Sequence, residues 1–379
     1  MVDTLRPSEP VYCLRPVAMR AAAARFMERF PGQILYAVKS NPLPEVLGLL
    51  SDAGVRHFDT ASIAEIELVS REVPGGQSYF MHPVKDRAAI RDAYAHHGVR
   101  HLVIDHVDEL HKIHQELGPV EAVVMVRVAT AAGDAQFNLS GKFGAPPDTA
   151  VALLRAARGL GYRCGLCFHV GSQCTAPNAF GAALGDAGEV LAAAGVAIEC
   201  LDIGGGFPSR YVGVEPPAFD AFMDAIDRGV AALDLPPECV LMCEPGRALV
   251  ADGLSLVVQV RARRDGDLYI NDGIYGSLGG VTVGMEFPAR QVRLDGAPDA
   301  DRRHFRIFGP TCDGLDVLPR PLWLADDVGE GDWIEIGQLG AYAIPLRTSF
   351  NGFYPDTFVN IARRYEWPAP PPGAAQQTP

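Results

Sequence analysis

Between residues 30 and 250 the chain repeats one pattern eight times: a short apolar run, then a longer Ala- and Leu-rich stretch. The runs span residues 34–39, 57–62, 79–83, 101–105, 122–129, 164–171, 200–206 and 240–247. Stretches between them, such as 146–160, 179–194 and 218–233, carry helical periodicity. Strands alternating with helices build parallel sheets, and eight such units are the number that closes a (β/α)8 TIM barrel. A doubly wound open sheet is the alternative on pattern alone. After Asp252 the texture changes. Residues 254–264, 268–272, 291–294, 304–308 and 333–336 read as strands, separated by turn residues with little helix. The expected organisation is a barrel over 15–252 and an all-β barrel or sandwich domain over 253–366. The tail, 367–379 (WPAPPPGAAQQTP), has nothing to bury and is expected to be disordered.

A chain of 379 residues, 48% apolar and 21% charged, has the material for two buried cores. Its formal net charge is −13, with no Lys or Arg run to follow a phosphate backbone. Nucleic acid and anionic membrane surfaces are therefore not expected partners. No apolar stretch reaches the ~20 residues of a membrane span. The first ten residues lack the basic-then-apolar pattern of a signal peptide. Eight scattered cysteines fit a reduced, cytoplasmic protein. Cys164 and Cys167 form a C-x-x-C without a second pair at zinc spacing, and strand alternation puts them on opposite faces. No metal site is expected.

Chemistry in such a barrel sits where the strands end. Those ends supply Lys39, Asp59, His82, Asp105, Arg127, His169, Gly204–Gly206 and residues 244–247. Each alone has a structural explanation, but so many ionisable groups on one face point to an enzyme. Lys39, in ILYAVKSNP, is either a solvated strand-end lysine or, enclosed in the mouth, one of depressed pKa that attacks carbonyls as a Schiff-base lysine. Gly204, Gly205 and Gly206 follow a strand directly, where bare backbone amides can close on an anion. The next strand ends in Glu244, Pro245, Gly246 and Arg247, a second glycine turn with a cation. Adjacent ends that both suit an anion match the phosphate site of this barrel face, and phosphate plus a Schiff-base lysine describes pyridoxal phosphate. Glu244 then faces the pyridine nitrogen rather than only pairing with Arg247, and His169 stacks on the ring rather than only filling core.

The motifs YAVKSNP, FDTASIAEIEL, FHVGSQ, LDIGGGFP, CEPGR, NDGIYGS, GPTCDGLD and GAYA occur in that order. Together they resemble the ornithine/diaminopimelate decarboxylase family, of alanine-racemase-like fold, from about residue 10 to about residue 355. The resemblance implies a cofactor barrel and a β domain joined by a short N-terminal strand within residues 1–14. It makes Lys39 the Schiff-base lysine, and places Asp59 and Glu65 near that lysine and the substrate carboxylate. Arg127 and Lys142 fall at the family's R…KFG positions, the former close to the cofactor. His169 becomes the stacking residue and Glu244 the partner of the pyridine nitrogen. Ser172, Gly204, Gly205, Gly206, Gly246, Arg247 and Tyr342 become phosphate contacts. Cys312 takes the place of the residue that reprotonates the substrate carbon once carbon dioxide has left. Asp313 meets the distal ammonium of a basic amino acid, with Tyr275 also on the substrate side. The family is a head-to-tail homodimer in which Cys312 and Asp313 enter the other subunit's site.

The implied activity is decarboxylation of a basic L-amino acid, L-ornithine (giving putrescine for polyamine biosynthesis) or lysine. The motif CDG, with FHVGSQ, is similar to ornithine decarboxylases rather than diaminopimelate decarboxylases. Those enzymes carry a second aspartate shortly after the YGS-like motif. Here the stretch is YGSLGGVTVGMEFP, which puts Gly284 at that place, with Glu286 the nearest carboxylate. An ammonium that faces one carboxylate instead of two loses about 1.5–3 kcal/mol of charged hydrogen bonding. Three other functions stand beside this one: a decarboxylase of a modified or carrier-bound amino acid in siderophore or secondary metabolism, an amino-acid racemase, and a catalytically dead regulator resembling antizyme inhibitor.

Overall fold

The computed structural model describes residues 2–130, 135–137, 141–294 and 301–362. The stretch 367–379 lies outside them. Two compact units emerge from the contacts. One comprises Ala21–Pro208 and Pro216–Leu249; the other comprises the residues up to Arg20, Ser209–Glu215 and the residues from Val250 onward. The short segment Ser209–Glu215, which the sequence pattern leaves inside the barrel, thus belongs to the second unit.

Strand β1 (Val11–Leu14) is part of the second unit. The first unit is built on β2 (Gln33–Ala37), β3 (His57–Thr60), β4 (Gln77–Phe80), β5 (His101–Ile104) and β6 (Val123–Arg127). A short β7 (Ala135–Phe137) is followed by β8 (Arg163–Cys167), β9 (Ser172–Cys174), β10 (Cys200–Asp202) and β11 (Val240–Cys243). The barrel strands close in the order β10-β11-β2-β3-β4-β5-β6-β8, and β7 and β9 form a separate antiparallel ribbon. The open-sheet alternative is excluded by this closure.

The helices form where local sequence favours them. Pro44–Asp52 starts with proline, whose missing N–H costs nothing there. Asp86 accepts the Ala88 and Ala89 amides at the start of Arg87–His96. Pro147–Gly159 buries Ala150, Leu153, Leu154 and Ala157, the i, i+3, i+4, i+7 stripe of an amphipathic helix.

Inside the barrel, Leu35, Tyr79, Met81, Val103, Val123, Met125, Cys167, Cys200 and Met242 form one apolar cluster. At the starts of the strands this cluster gives way to a polar plug. The Tyr79 hydroxyl donates to Gln33 Oε1 at 3.0 Å and lies 3.0 Å from His57 Nδ1. The His101 ring packs on Tyr79 with centroids 4.5 Å apart. Burial, reinforced by Arg163 and His57, pushes the His101 imidazole down to about 4. Cys164 turns outward, its thiol donating to Leu154 O, while Cys167 faces the interior.

In the second unit the spine is β12 (Leu254–Arg264), followed by β13 (Asp267–Ile270), β14 (Ala289–Val292) and β15 (Arg302–Phe308). Then come β16 (Leu322–Ala325), β17 (Trp333–Ile336) and β18 (Thr357–Asn360). β1 runs antiparallel to β12 and parallel to β18. Strands β16 and β18 escape the sequence pattern because turn residues stand directly before them, Pro319 and Pro321 for β16 and Pro355 and Asp356 for β18. A buried ion cluster ties this sheet together. Arg15 meets Glu335 Oε1 at 2.5 Å, Arg290 meets Oε2 at 2.5 Å, and Ser255 donates to Oε1 at 2.7 Å. Burial alone would raise the Glu335 carboxyl, but Ser255 and the two arginines outweigh it and hold the group below its ordinary value. No helix among the described residues is long and apolar enough to cross a membrane.

The His101 imidazole sets a pH signature. Between about pH 6.5 and 4 the unfolded chain binds a proton that the folded plug refuses, so stability falls as pH falls through that window. Replacing His101 with Leu should flatten the slope of unfolding free energy against pH by up to about 1.4 kcal/mol per unit. Denaturant titrations of both proteins at stepped pH check this; equal slopes would show that His101 takes its proton in the fold.

Candidate active site

Alternation along the strands carries the interior outward from apolar to polar. Two residues beyond Met125, Cys167, Cys200 and Met242 stand Arg127, His169, Asp202 and Glu244, on the same interior parity. On the next strands round the barrel, β2 and β3, Ala37 pairs with Asp59, and Lys39 follows in the 3-10 turn Val38–Ser40. Lys39 Nζ donates to Asp59 Oδ2 at 2.6 Å. Asp59 is 1% exposed, whereas the Lys39 side chain is 43% exposed. The enclosure expected of Lys39 is therefore not found: the lysine stands half-open at the mouth and a buried carboxylate aims it.

Glu65 sits close by, where burial first, and then Asp59, raise its carboxyl above the ordinary value. Its Oε2 accepts the Ala61 amide at 2.7 Å, and its own amide bonds Ser62 Oγ at 3.3 Å. This reciprocal pair caps the helix Ile63–Glu72, a structural task the motif had not disclosed.

The three glycines are each demanded by a different neighbour. Gly204 has φ +69°, and a Cβ there would lie 2.1 Å from Phe168 O. Gly206 has φ +106°, with Gly171 O 2.4 Å from where its Cβ would be. At Gly205 a Cβ would meet Glu244 O at 2.7 Å and His169 Nε2 at 3.0 Å. A side chain at any of them would fill the cradle. Beside it, Arg247 Nη2 donates to Ser172 Oγ at 3.3 Å, and Ser172 is held by the β7–β9 ribbon. Gly246 packs against Ser40, where a Cβ would approach to 3.0 Å. Backbone amides, a hydroxyl and a guanidinium thus surround one strand-end hollow, a set of donors that suits a phosphate.

His169 Nδ1 accepts the Gly171 amide at 3.0 Å, so in the neutral ring the proton sits on Nε2, toward Gly205. Burial, then Arg127 and Lys39, hold the imidazole well below its ordinary value, and it is neutral. Glu244 shows the opposite displacement: burial, then Asp202 and Asp59, raise its carboxyl well above the ordinary range. Arg127 lies 5.8 Å from the Phe143 ring, and Lys142 is exposed against the same ring. Asp105 accepts the Gly144 amide at 2.9 Å and His82 accepts that of Val84 at 3.1 Å. These two strand-end groups brace loops.

The second unit assembles its own constellation. The Tyr275 hydroxyl donates to Asp313 Oδ2 at 2.5 Å, and the Leu315 amide bonds Oδ1 at 3.0 Å. Tyr275 first, then Leu315, hold the Asp313 carboxyl below its ordinary value. Cys312 is exposed beside a cavity of about 530 Å³, and its amide bonds Asn351 Oδ1 at 3.2 Å. Phe350 packs on Tyr275 with centroids 4.9 Å apart. Behind them Asp316, 2% exposed, accepts the Ile274 and Thr311 amides at 3.0 Å and the Thr311 hydroxyl at 2.7 Å. Gly273 and Gly309 leave room for that carboxylate, since a Cβ on either would lie 2.2 Å from it. Asp316 therefore clamps the loop of Tyr275 to the loop of Cys312. Sequence reasoning missed Asp316, Phe350 and Asn351; the second aspartate of GPTCDGLD was the available signal. Tyr342 adopts a left-handed conformation at φ +69°.

Glu286 does not stand ready as a replacement acid. It is ion-paired with Arg320 on the wall of an apolar cavity of about 420 Å³. Gly284 is left-handed at φ +85° and closes the 3-10 turn Gly279–Val283, which carries no carboxylate. Tyr275→Phe should release Asp313 from its strongest hydrogen bond, so that its carboxyl titrates at higher pH. A carbon-13 NMR titration of labelled aspartate reads this directly; an unchanged Asp313 signal would show that the hydroxyl does not hold it.

The model of the family described as "Pyridoxal-dependent decarboxylase, pyridoxal binding domain" matches residues 17–251. The lysine/ornithine decarboxylase of Selenomonas ruminantium is 35% identical over 85% of this chain and 81% of its own length. Antizyme inhibitor 2 of Xenopus laevis is 32% identical over 91% and 79%. Among solved structures, the arginine decarboxylase of Paramecium bursaria Chlorella virus, bound to agmatine, superposes with a TM-score of 0.84 at 29% identity, covering 95% of this chain and 98% of that one. With its closed barrel, its second β unit and this breadth of similarity, the chain belongs to the pyridoxal-dependent decarboxylase family.

Proposed function

We propose that the protein removes the α-carboxylate of a basic L-amino acid, ornithine or lysine, with pyridoxal phosphate held on Lys39. The observation that carries this is the meeting, in one barrel mouth, of a carboxylate-aimed lysine, a cradle of three obligatory glycines and a half-buried strand-end glutamate. The donors fit the cofactor. Gly204, Gly205, Gly206, Gly246, Ser172 and Arg247 take the phosphate, and Glu244 takes the ring nitrogen. His169, neutral and fixed by Gly171, offers a ring face for stacking, while Arg127 and Asp59 complete the cofactor's polar surroundings.

The bound cofactor supplies an electron sink for the electrons freed when the carboxylate leaves. The protein's part is orientation and proton control. Asp59 holds Lys39 Nζ, the amine that carries the cofactor and regains it at the end of the cycle. Cys312 delivers a proton to the substrate's α-carbon. Asp313, kept ionised by Tyr275, binds the distal ammonium, and Glu65 stands near the substrate carboxylate. A homodimer completes the site, with Cys312 and Asp313 entering the barrel of a second copy. Around Cys312 the large apolar side chains Leu315, Phe350 and Phe353 are exposed, a surface suited to burial against that copy. The eight free cysteines support a reduced cytoplasmic setting.

One observation favours a second substrate class. With Glu286 paired to Arg320 and Gly284 in the aspartate's place, Asp313 is the single acid assigned to the distal ammonium. That suits a modified or carrier-bound amino acid as well as free ornithine or lysine. Steady-state carbon dioxide release from ornithine, lysine, arginine and diaminopimelate separates the two, and failure of all four selects the modified substrate. Racemisation without carbon dioxide release would identify a racemase. Wild-type protein that takes up no cofactor would identify a regulator.

Lys39→Ala should abolish the visible absorbance of the loaded enzyme and its turnover; a band that survives dialysis would remove Lys39 from its role. Mixing the inactive variants Lys39→Ala and Cys312→Ala should restore about a quarter of wild-type activity, because half the dimers are mixed and each holds one intact site. No recovery after subunit exchange would show that each chain builds its site alone.

A further inference from the structure

Glu244 does not end its strand alone. β10 and β11 pair with Asp202 opposite Met242, so Asp202 lies inward one step below Glu244. Asp202 is fully buried. Its Oδ1 accepts the Gly204 amide at 2.8 Å, while Oδ2 meets no N–H or hydroxyl donor among the described residues. A carboxylate oxygen left this way is costly unless a proton is shared across it. The group within hydrogen-bonding reach is the carboxyl of Glu244. The other charged or titratable groups facing the two acids are Asp59, Lys39, Arg127, Tyr79, Cys167, Cys200 and Cys243. Lys39 is bonded to Asp59.

We propose that Asp202 is a positioning residue for Glu244: the two neighbouring carboxyls hold one proton between them and give it to the cofactor's ring nitrogen when the cofactor binds. The balance is simple. The proton leaves the carboxyl pair, the nitrogen lone pair takes it, two carboxylates remain, and the ring gains the positive charge. Two carboxylates behind one pyridinium hold its proton to higher pH than one does. The displacements of the two acids agree with this. Burial first, opposed by Glu244 and Gly204, brings Asp202 to about 6, and burial, then Asp202 and Asp59, raise Glu244 well above its ordinary value. As in other close carboxyl pairs, the proton belongs to both groups.

The proposal rests on Glu244 facing the ring nitrogen, and the test separates the two. Wild type, Asp202→Asn, Asp202→Glu and Glu244→Gln are loaded with cofactor labelled with nitrogen-15 in the ring, and the nitrogen shift is followed by NMR from about pH 6 to 9. The wild-type nitrogen should stay protonated throughout, and Asp202→Glu should match it. Asp202→Asn should lose the proton at least one pH unit lower, a tenfold drop in proton affinity. A titration in Asp202→Asn equal to wild type overturns the proposal while leaving the cofactor site intact. A Glu244→Gln nitrogen equal to wild type would instead overturn the placement of Glu244. Should Asp202→Asn fail to fold, infrared spectra of the cofactor-free wild type decide: absence of a protonated carboxyl band at neutral pH, with aspartate and glutamate isotope-labelled, would overturn the proposal.

Discussion

Parallel register around a closed barrel is the constraint from which the rest of this molecule follows. Because β10 lies in step with β8 and β11, and β2 with β3, the inward parity of each strand is fixed by its neighbours. A slip of one residue anywhere would send Asp202 or Glu244 to the helix side and bring an apolar residue into the mouth. The same register makes the glycines obligatory, since strand ends packed this closely bring Phe168 O, Gly171 O and Glu244 O against the backbone of Gly204–Gly206.

That geometry concentrates negative charge where water is scarce. Asp59, Asp202 and Glu244 crowd one side of the mouth above an apolar floor, with Lys39 and Arg127 the cations that face them. Burying acids without matched cations destabilises a fold, and its persistence at one spot marks a place where proton affinity is being set. The ion cluster around Glu335 is the instructive contrast. There an equally buried carboxylate meets two arginines and a serine and is held ionised. One arrangement fastens a sheet; the other keeps a proton available.

Much of this was legible in the sequence because period-2 and period-3.6 patterns report directly on burial. All eight barrel strands stand where the apolar runs place them, and the ends of those runs name the residues of the mouth. What stayed hidden depends on distance in three dimensions. Asp202 reads as one letter of a glycine motif until register sets it beside Glu244. Glu65 reads only as a site acid until its capping bonds show that it also starts a helix. Glu286 reads as a spare carboxylate until Arg320, far along the chain, proves to hold it. Strands β16 and β18 were masked by the turn residues directly before them, Pro321 and Asp356.

The pairing of β1 also bears on how the chain is made. The second unit needs residues from the beginning, the middle and the far end of the chain. β1 finds β12 and β18 only after every barrel strand has been synthesised. Until then the strand Val11–Leu14, buried along its whole length in the finished fold, must wait unpaired. Such long-range closure is slow, and it makes the unfinished second unit the stage at which a nascent chain is most exposed to aggregation and most in need of a chaperone.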